Sequence, residues 1–323
     1  MKLKDLYAFI VQRGIEVDPR GKDVVEKDLQ RKKENFDTLK PDDPDSLSFD
    51  KESFTNPYPD TRILFGNPEL EVRNFLIGID IEVGEILLAE RLLSKGKKID
   101  LVISHHPEGR AYANLYEVMH MQADILNKFG VPITVADDLL DKRIKEVERK
   151  LMPVNHTRTV DAAKLLGIPL LCMHTPSDNF VANHLQKLFD ERKPDTLKDI
   201  LNILREIPEY QDAIRETAGP KITLGSKEKR AGKVFVDMTG GTEGSKDIFE
   251  RISQAGVGTI VAMHLSEDHR KEAEKHHVNV VIAGHISSDN LGMNLLLDGI
   301  EKAEPSGLSV LCCSGFKRFK RIQ

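Results

Sequence analysis

The sequence predicts an α/β protein made of two related halves that face each other. Three observations carry that expectation. A strand, a helix and a strand run from Phe75-Leu-Ile-Gly-Ile-Asp80 through residues 83–95 to Ile99-Asp-Leu-Val-Ile-Ser104, the unit from which parallel sheets are built. The unit returns at nearly the same spacing as Lys233-Val-Phe-Val-Asp237, residues 245–255 and Gly258-Thr-Ile-Val-Ala-Met263, with Asp80 matching Asp237 and His105 matching His264. Finally, Leu170-Leu-Cys-Met-His-Thr-Pro-Ser-Asp-Asn179 is echoed by Val281-Ile-Ala-Gly-His-Ile-Ser-Ser-Asp-Asn290, each an apolar strand followed by His-x-x-Ser-Asp-Asn.

Taken in order, residues 1–60 are highly charged, with helical patterning in Leu3 to Arg13 and Val24 to Asn35, then the Pro/Asp-rich Pro41-Asp-Asp-Pro-Asp45 and Pro57-Tyr-Pro59. They read as a helical lead-in and a loop. Residues 61–218 form a first α/β lobe with a helical insertion: after the opening unit come a helix over Tyr112 to Phe129, a short strand over Val131 to Val135, and a charged helix over Leu139 to Leu151. A helix around Val160 to Leu166, the strand Pro169 to Met173, and helices broken at Pro194 and Pro208 complete it. The Gly/Pro/Lys-rich piece Gly219 to Gly232 is the joint, and residues 219–323 form the second lobe.

Composition narrows the partners. The 323 residues are 40% apolar and 31% charged with a net charge of −5, which offers no broad attraction to nucleic acid or an anionic membrane. No stretch approaches the eighteen apolar residues of a membrane span, and Met1 to Ile15 mixes charged with apolar residues, so a cytoplasmic location is expected. Of three cysteines, Cys312 and Cys313 are neighbours and Cys172 lies far off, which argues against a disulfide framework and for a reducing compartment. All three sit in apolar runs and read as buried small hydrophobes rather than metal thiolates, with Cys172, two residues from His174, an outside candidate.

Of the eleven histidines, five directly follow a predicted strand: His105, His106, His174, His264 and His285. Open parallel sheets bind ligands outside the carboxyl ends of their strands, where strand ends fix side chains and loops leave room. One such histidine would read as an ordinary hydrogen-bonded residue; five together point to metal. Imidazole and carboxylate suit zinc, manganese, iron, cobalt or nickel, and the lack of paired cysteines argues against a structural thiolate site. His174 with Asp178, and His285 with Asp289, are four apart and share a face. His105 and His106 would point to opposite faces of a regular strand, so both serve a metal only if the strand ends there, which Pro107 favours; each can then serve a different ion. The glycine-rich Thr239-Gly-Gly-Thr-Glu-Gly-Ser-Lys246 matches neither a P-loop nor G-x-G-x-x-G and reads as a tight turn. His120, His156, His276, His277 and the Lys317 to Arg321 run are assigned no function.

Together these residues resemble the Nif-three-like family, whose members are also labelled GTP cyclohydrolase I type 2 homologs. The resemblance runs from about Arg62 to the C-terminus and is carried by Ile103-Ser-His-His-Pro107, His174-Thr-Pro-Ser-Asp178 and Gly284-His-Ile-Ser-Ser-Asp289. It implies two three-layer α/β lobes with a dinuclear metal site in the cleft between them. His105, His106, Asp178 and His285 match four family ligands, and Asp289 stands where the family has Glu. This chain lacks the Trp-Asp-Asn style entry motif before residue 62 and has an unusually long segment between His106 and His174. Two divalent ions would outweigh Asp178 and Asp289 by about two positive charges, enough to hold hydroxide and a small anionic substrate, which favours hydrolysis. The expected function is therefore a metal-dependent hydrolase, GTP ring opening being one version, with His174 and His264 orienting ligands or transferring protons. The alternative is a metal-binding regulator or scaffold that recruits protein partners; the family's habit of forming a ring of six subunits implies a homo-oligomer, a hexamer.

Overall fold

The computed structural model describes residues 1–40, 42–304 and 307–321; Pro41, which opens the Pro/Asp-rich stretch, lies outside the described residues. The chain begins with helices α1 (Leu3–Glu16), α2 (Lys22–Asp37) and α3 (Pro44–Ser48). The first half continues through β1 (Thr61–Phe65), β2 (Asn74–Gly78), α4 (Val83–Ser94), β3 (Leu101–Ser104), α5 (Gly109–Ala113), α6 (Leu115–Val118), α7 (Met121–Phe129), α8 (Ile133–Leu151), α9 (Arg158–Leu166), β4 (Leu170–Met173) and α10 (Thr175–Arg192). After α11 (Leu197–Leu204) and α12 (Pro208–Arg215) come β5 (Lys221–Leu224), β6 (Lys233–Asp237), α13 (Ile248–Gln254), β7 (Val257–Ala262), α14 (Glu267–Lys275), β8 (Asn279–Ile282), α15 (His285–Ala303) and β9 (Ser309–Cys312).

Two sheets result, ordered β1-β4-β3-β2-β9 and β5-β8-β7-β6. In the first, β2, β3 and β4 are parallel and β1 is antiparallel; in the second, β6, β7 and β8 are parallel and β5 is antiparallel. Order and direction thus repeat strand for strand, as the duplicated sequence requires. The repeat also includes an antiparallel edge strand in each half, β1 and β5, and β5 lies inside the segment expected to be only a joint. β9 breaks the symmetry. It pairs with β2, from Asn74 opposite Ser309 to Ile77 opposite Cys312, so residues 309–312 extend the first sheet although the expected boundary assigned them to the second lobe. Without β9 the buried strand Phe75–Ile77 would leave a row of backbone groups unpaired.

Alternation along the strands builds the layers. Phe75, Ile77, Leu101, Ile103, Leu171 and Met173 face α1 and α15, while Leu76, Val102 and Leu170 face α4 and α9. In the second sheet Val234, Val236, Val261 and Val281 face α10 and α11, and Phe235, Ile260, Ala262 and Val280 face the other way. The two central helices are exchanged between sheets: α10 leaves the first and packs on the second, and α15 leaves the second and packs on the first. They cross so closely that a Cβ on Gly292 would lie 2.2 Å from the Ser177 carbonyl oxygen.

Two local expectations fail for identifiable reasons. Val131 to Val135 is not a strand: α7 ends at Gly130 in the left-handed conformation, Pro132 precedes the first residue of the next helix, and the buried positions Ala136, Leu140, Ile144 and Val147 recur at helical spacing. Tyr112 to Phe129 is not one helix but part of α5, then α6 and α7. Nor are all the cysteines buried, because β9 is an edge strand and leaves Cys312 exposed and Cys313 half-buried.

The insertion α5–α8 has a destination that its sequence does not announce. Leu115, Val118, Met119, Leu126 and Leu140 share a core with Phe235, Phe249 and Ile252, so helices inserted in the first lobe cover the outer face of the second. The glycine-rich loop after β6 packs beneath them. Gln122 Nε2 donates to the carbonyls of Gly240 and Thr242 at 2.7 and 2.8 Å, and a Cβ on Gly240, Gly241 or Gly244 would meet α6 or α7 within 2.8 Å. The glycines serve positive φ at Gly240 and Gly241 and close approach to α6 and α7. Among the described residues, no helix is long and apolar enough to cross a membrane.

Candidate metal centre

β3 ends at Ser104, yet the chain stays tethered beyond it: the amides of His105 and His106 donate to the carbonyls of Gly78 and Ile79, and Ser104 Oγ donates to the His106 carbonyl at 2.6 Å. With the strand ended and Pro107 next, the two rings splay, their centroids 5.1 Å apart. Asp178 lies on the first turn of α10, behind β4, while His285 and Asp289 occupy the first two turns of α15, behind β8. Both halves therefore deliver side chains to one place, where α10 and α15 cross.

The repeated Ser-Asp-Asn of the two helices acquires a physical reading here. Each serine donates back to the carbonyl four residues earlier, Ser177 to Met173 at 2.8 Å and Ser288 to Gly284 at 2.6 Å. Each aspartate faces the cluster. Each asparagine anchors a flanking segment, Asn179 reaching Gly14 of α1 and Thr239, and Asn290 reaching Gly315 and Lys317.

Within the cluster, His105 Nε2 stands 3.4 Å from Asp178 Oδ1 and 3.4 Å from Asp289 Oδ1. On the other side of the same carboxylate, Asp289 Oδ2 is 3.6 Å from both His106 Nε2 and His285 Nε2. These separations are long for strong hydrogen bonds. They match the edge of a tetrahedron whose corners each lie 2.0–2.2 Å from a central ion, roughly 3.4 Å. The buried atoms without a hydrogen-bond partner, among the described residues, include both ring nitrogens of His105, Asp178 Oδ1 and both oxygens of Asp289. Leaving such groups unpaired costs about 1–3 kcal/mol each, and a cation between them would satisfy several at once. Among the described residues, three groups have ligand atoms near enough to share an ion: His105 with Asp178 and Asp289; His106 with His285 and Asp289; and His105 with His106 and His174. The donor set fits a divalent transition metal.

Carboxylates behind the rings complete the arrangement. Asp80 Oδ1 lies 2.6 Å from His106 Nδ1, and Asp60 Oδ2 lies 2.8 Å from His174 Nδ1 while accepting from Thr175 Oγ1 at 2.6 Å. Each holds one nitrogen and turns Nε2 toward the cluster, the usual arrangement behind a metal-bound histidine. His174, expected behind the ligands, thus stands within a ligand group itself, its Nε2 3.7 Å from Asp178 Oδ2. His264 does not enter a ligand group. Its ring lies 5.0 Å from that of His285, half exposed, with Nδ1 3.3 Å from Glu243 Oε1.

The electrostatics favour the ligand forms of His105 and Asp289 and oppose those of Asp178 and His174. Burial pushes the His105 imidazolium down to about 4, so the ring is neutral at neutral pH. Burial opposes ionisation of Asp289, but His105, His285 and His106 outweigh it and hold the carboxyl below its ordinary range. Burial, with the charges of Asp289 and Asp60, pushes Asp178 up, a direction that a cation beside it would reverse. Burial lowers His174, yet Asp178 and Asp60 prevail and raise it to about 9. Cys172 takes no part: burial pushes its thiol up to about 12, and its Sγ lies 3.4 Å from the Asp60 carbonyl.

Asp60, Asp80 and Glu243 were not among the site residues read from the sequence. Asp80 carried a signal, as it matches Asp237 at the end of the repeated strand. Asp60 ends the Pro57-Tyr-Pro-Asp turn where the family's entry motif is missing, and Glu243 lies inside the glycine-rich loop.

A NIF3 superfamily protein from Sphaerobacter thermophilus superposes with a TM-score of 0.69 and 26% identity, over 80% of this chain and 91% of that one. The chain is similar to the NIF3 superfamily. Other solved structures align at lower similarity: reduced HcgD from Methanocaldococcus jannaschii (16% identity, TM-score 0.46, 87% of this chain and 96% of that one) and a Bacillus cereus protein related to NIF3 (11%, 0.39, 91% and 98%). No protein-family model matches the sequence, and no curated protein matches it. The chain's two sheets give it two lobes, and its histidine and aspartate cluster is one that could hold metal.

Proposed function

We propose that this protein is a cytoplasmic hydrolase that depends on two divalent metal ions and acts on a small anionic molecule. The observation that carries this reading is Asp289, whose Oδ1 faces His105 and whose Oδ2 faces His106 and His285, so that one carboxylate joins two adjacent ligand groups. His105 with Asp178 would hold one ion and His106 with His285 the other, zinc, manganese, iron, cobalt and nickel all suiting the donors. When bound, such a pair supplies Lewis acidity and lowers the pKa of a water between the ions.

The chain's own residues do the rest. Asp80 and Asp60 fix the tautomers of His106 and His174. A cavity of about 420 Å³ opens over the cluster, lined by His106, His174, His264 and His285 on one side and by Tyr112 of α5, His156 of the α8–α9 loop and Arg158 at the start of α9 on another. Arg158 suits an anionic substrate group, and His264, oriented by Glu243, would move a proton at its Nε2. We also infer a homo-oligomer, the hexamer being the specific form: Leu87 and Leu88 of α4 and Leu165 and Leu166 of the adjacent α9 expose apolar surface.

The test combines elemental analysis with a panel of phosphoesters, nucleotides (GTP included) and amides, assayed with each metal. We expect about two ions per chain and metal-dependent turnover that Asp178→Ala and Asp289→Ala abolish. Retained metal without turnover on any substrate class would favour a non-catalytic scaffold and overturn the hydrolase.

A further inference from the structure

A second cavity, of about 320 Å³, lies on the far side of the glycine-rich loop from the metal centre. Its walls are Leu126 and Phe129 of α7, Ala182 and Gln186 of α10, and Val236 and Met238 at the outer edge of the second sheet. One wall is therefore supplied by the long insertion. β6 is the edge strand here, and Gln186 occupies its backbone: the side-chain amide donates to the Val234 carbonyl at 3.2 Å and accepts from the Val236 amide at 3.0 Å. An added strand is thereby blocked, and the space left is a pocket of the size that small molecules fill.

The polar groups of this pocket are unevenly satisfied. Lys128 donates to the Pro19 carbonyl, Lys233 donates to the Phe129 carbonyl, and Asp18 holds Arg20 and Tyr58. Lys187 and Asp190 stand exposed at the mouth. Asp237 differs: partly exposed, it lines this cavity and the small one beside the metal cluster, and among the described residues no hydrogen bond reaches its carboxylate. Burial, then the nearby Glu243, push its carboxyl up to about 6, which still leaves it ionised at neutral pH. A largely apolar pocket with one carboxylate that has no protein partner is complemented by a molecule that brings an apolar body, donors and positive charge.

We propose that this cavity is a ligand site for a small molecule with an apolar, ring-sized body and a cationic amine, the ammonium resting against Asp237. The cavity is distinct from the one over the metal ligands, with Asp237 on the wall they share, and its existence does not depend on hydrolase activity.

Calorimetric titration of the full chain with 2-phenylethylamine, 3-phenylpropanoate and ethylbenzene tests it, together with a structure of the amine complex. The amine should bind at one site at least about tenfold more tightly than the carboxylate. Asp237→Asn, which keeps the shape, should erase that preference, and Leu126→Trp, which fills the cavity from α7, should abolish binding while metal content stays unchanged. Failure of the amine to bind, equal binding of amine and carboxylate, an unchanged preference in Asp237→Asn, or a complex with the amine at the metal cluster would each overturn the proposal. Should Leu126→Trp not fold, the Asp237→Asn titration and the complex structure still decide it.

Discussion

His105 and His174 are neighbours, with ring centroids 4.9 Å apart, yet they respond to pH in opposite senses. His105 is buried with its nitrogens unpartnered, so its folded pKa of about 4 lies below the ordinary 6.5. Its contribution to the stability of the metal-free protein is complete above pH 6.5 and is lost as pH falls toward 4, because only the unfolded chain readily takes up the proton. His174, held by Asp178 and Asp60, has a folded pKa of about 9; its contribution is complete below 6.5 and is lost as pH rises through 9. Chelated protein is therefore expected to be most stable near pH 6.5, each limb falling by up to roughly 3 kcal/mol. Urea titrations across that range check this: His105→Gln should flatten the acid limb and His174→Gln the alkaline one. Identical slopes in wild type and both variants would refute the assignment.

At the scale of elements, the site depends on how closely α10 and α15 approach. Gly292 has an ordinary helical role in sequence, but its missing side chain lets the Ser177 carbonyl come within van der Waals range of the helix. Gly292→Ala would force the helices apart and cost about 1–3 kcal/mol or more by overpacking. Because Asp178 is next to Ser177, and Asp289 sits one turn before Gly292, the same displacement would open the ligand groups. The variant should lose both thermal stability and bound metal. A variant that melts lower but keeps its full metal content would show that the crossing and the site are independent. The glycine-rich loop depends on a similar approach: Gln122→Ala would leave the buried Gly240 carbonyl without its donor, at a cost of about 1–3 kcal/mol.

At the scale of the whole molecule, the cluster draws on both lobes and so ties them together. Ions held there would stabilise the folded chain by mass action, about 2.7 kcal/mol for one ion at a hundredfold excess over its Kd. The melting temperature should rise on adding metal to chelated protein. Asp289→Ala should remove most of that rise while Asp237→Asn leaves it intact, a comparison that scanning calorimetry can make. An undiminished shift in Asp289→Ala would place the ions elsewhere.

The sequence by itself determined the fold class, the repeat and where the five strand-end histidines and two helix-borne aspartates fall in it. Those are local signals: apolar runs mark strands, residues after a strand sit at its carboxyl end, and positions four apart share a helix face. It misread Val131 to Val135, where a β-branched run outweighed the proline and the helical spacing beyond it. Only the tertiary structure decided which oxygen of Asp289 faces which histidine, that Asp60 and Asp80 stand behind His174 and His106, and that the insertion covers the second lobe. It also decided that β9 closes the first sheet rather than the second. Those outcomes rest on contacts between residues far apart in the chain, such as Asp60 with His174, which leave no periodic trace and are settled by which surfaces pack when the core closes.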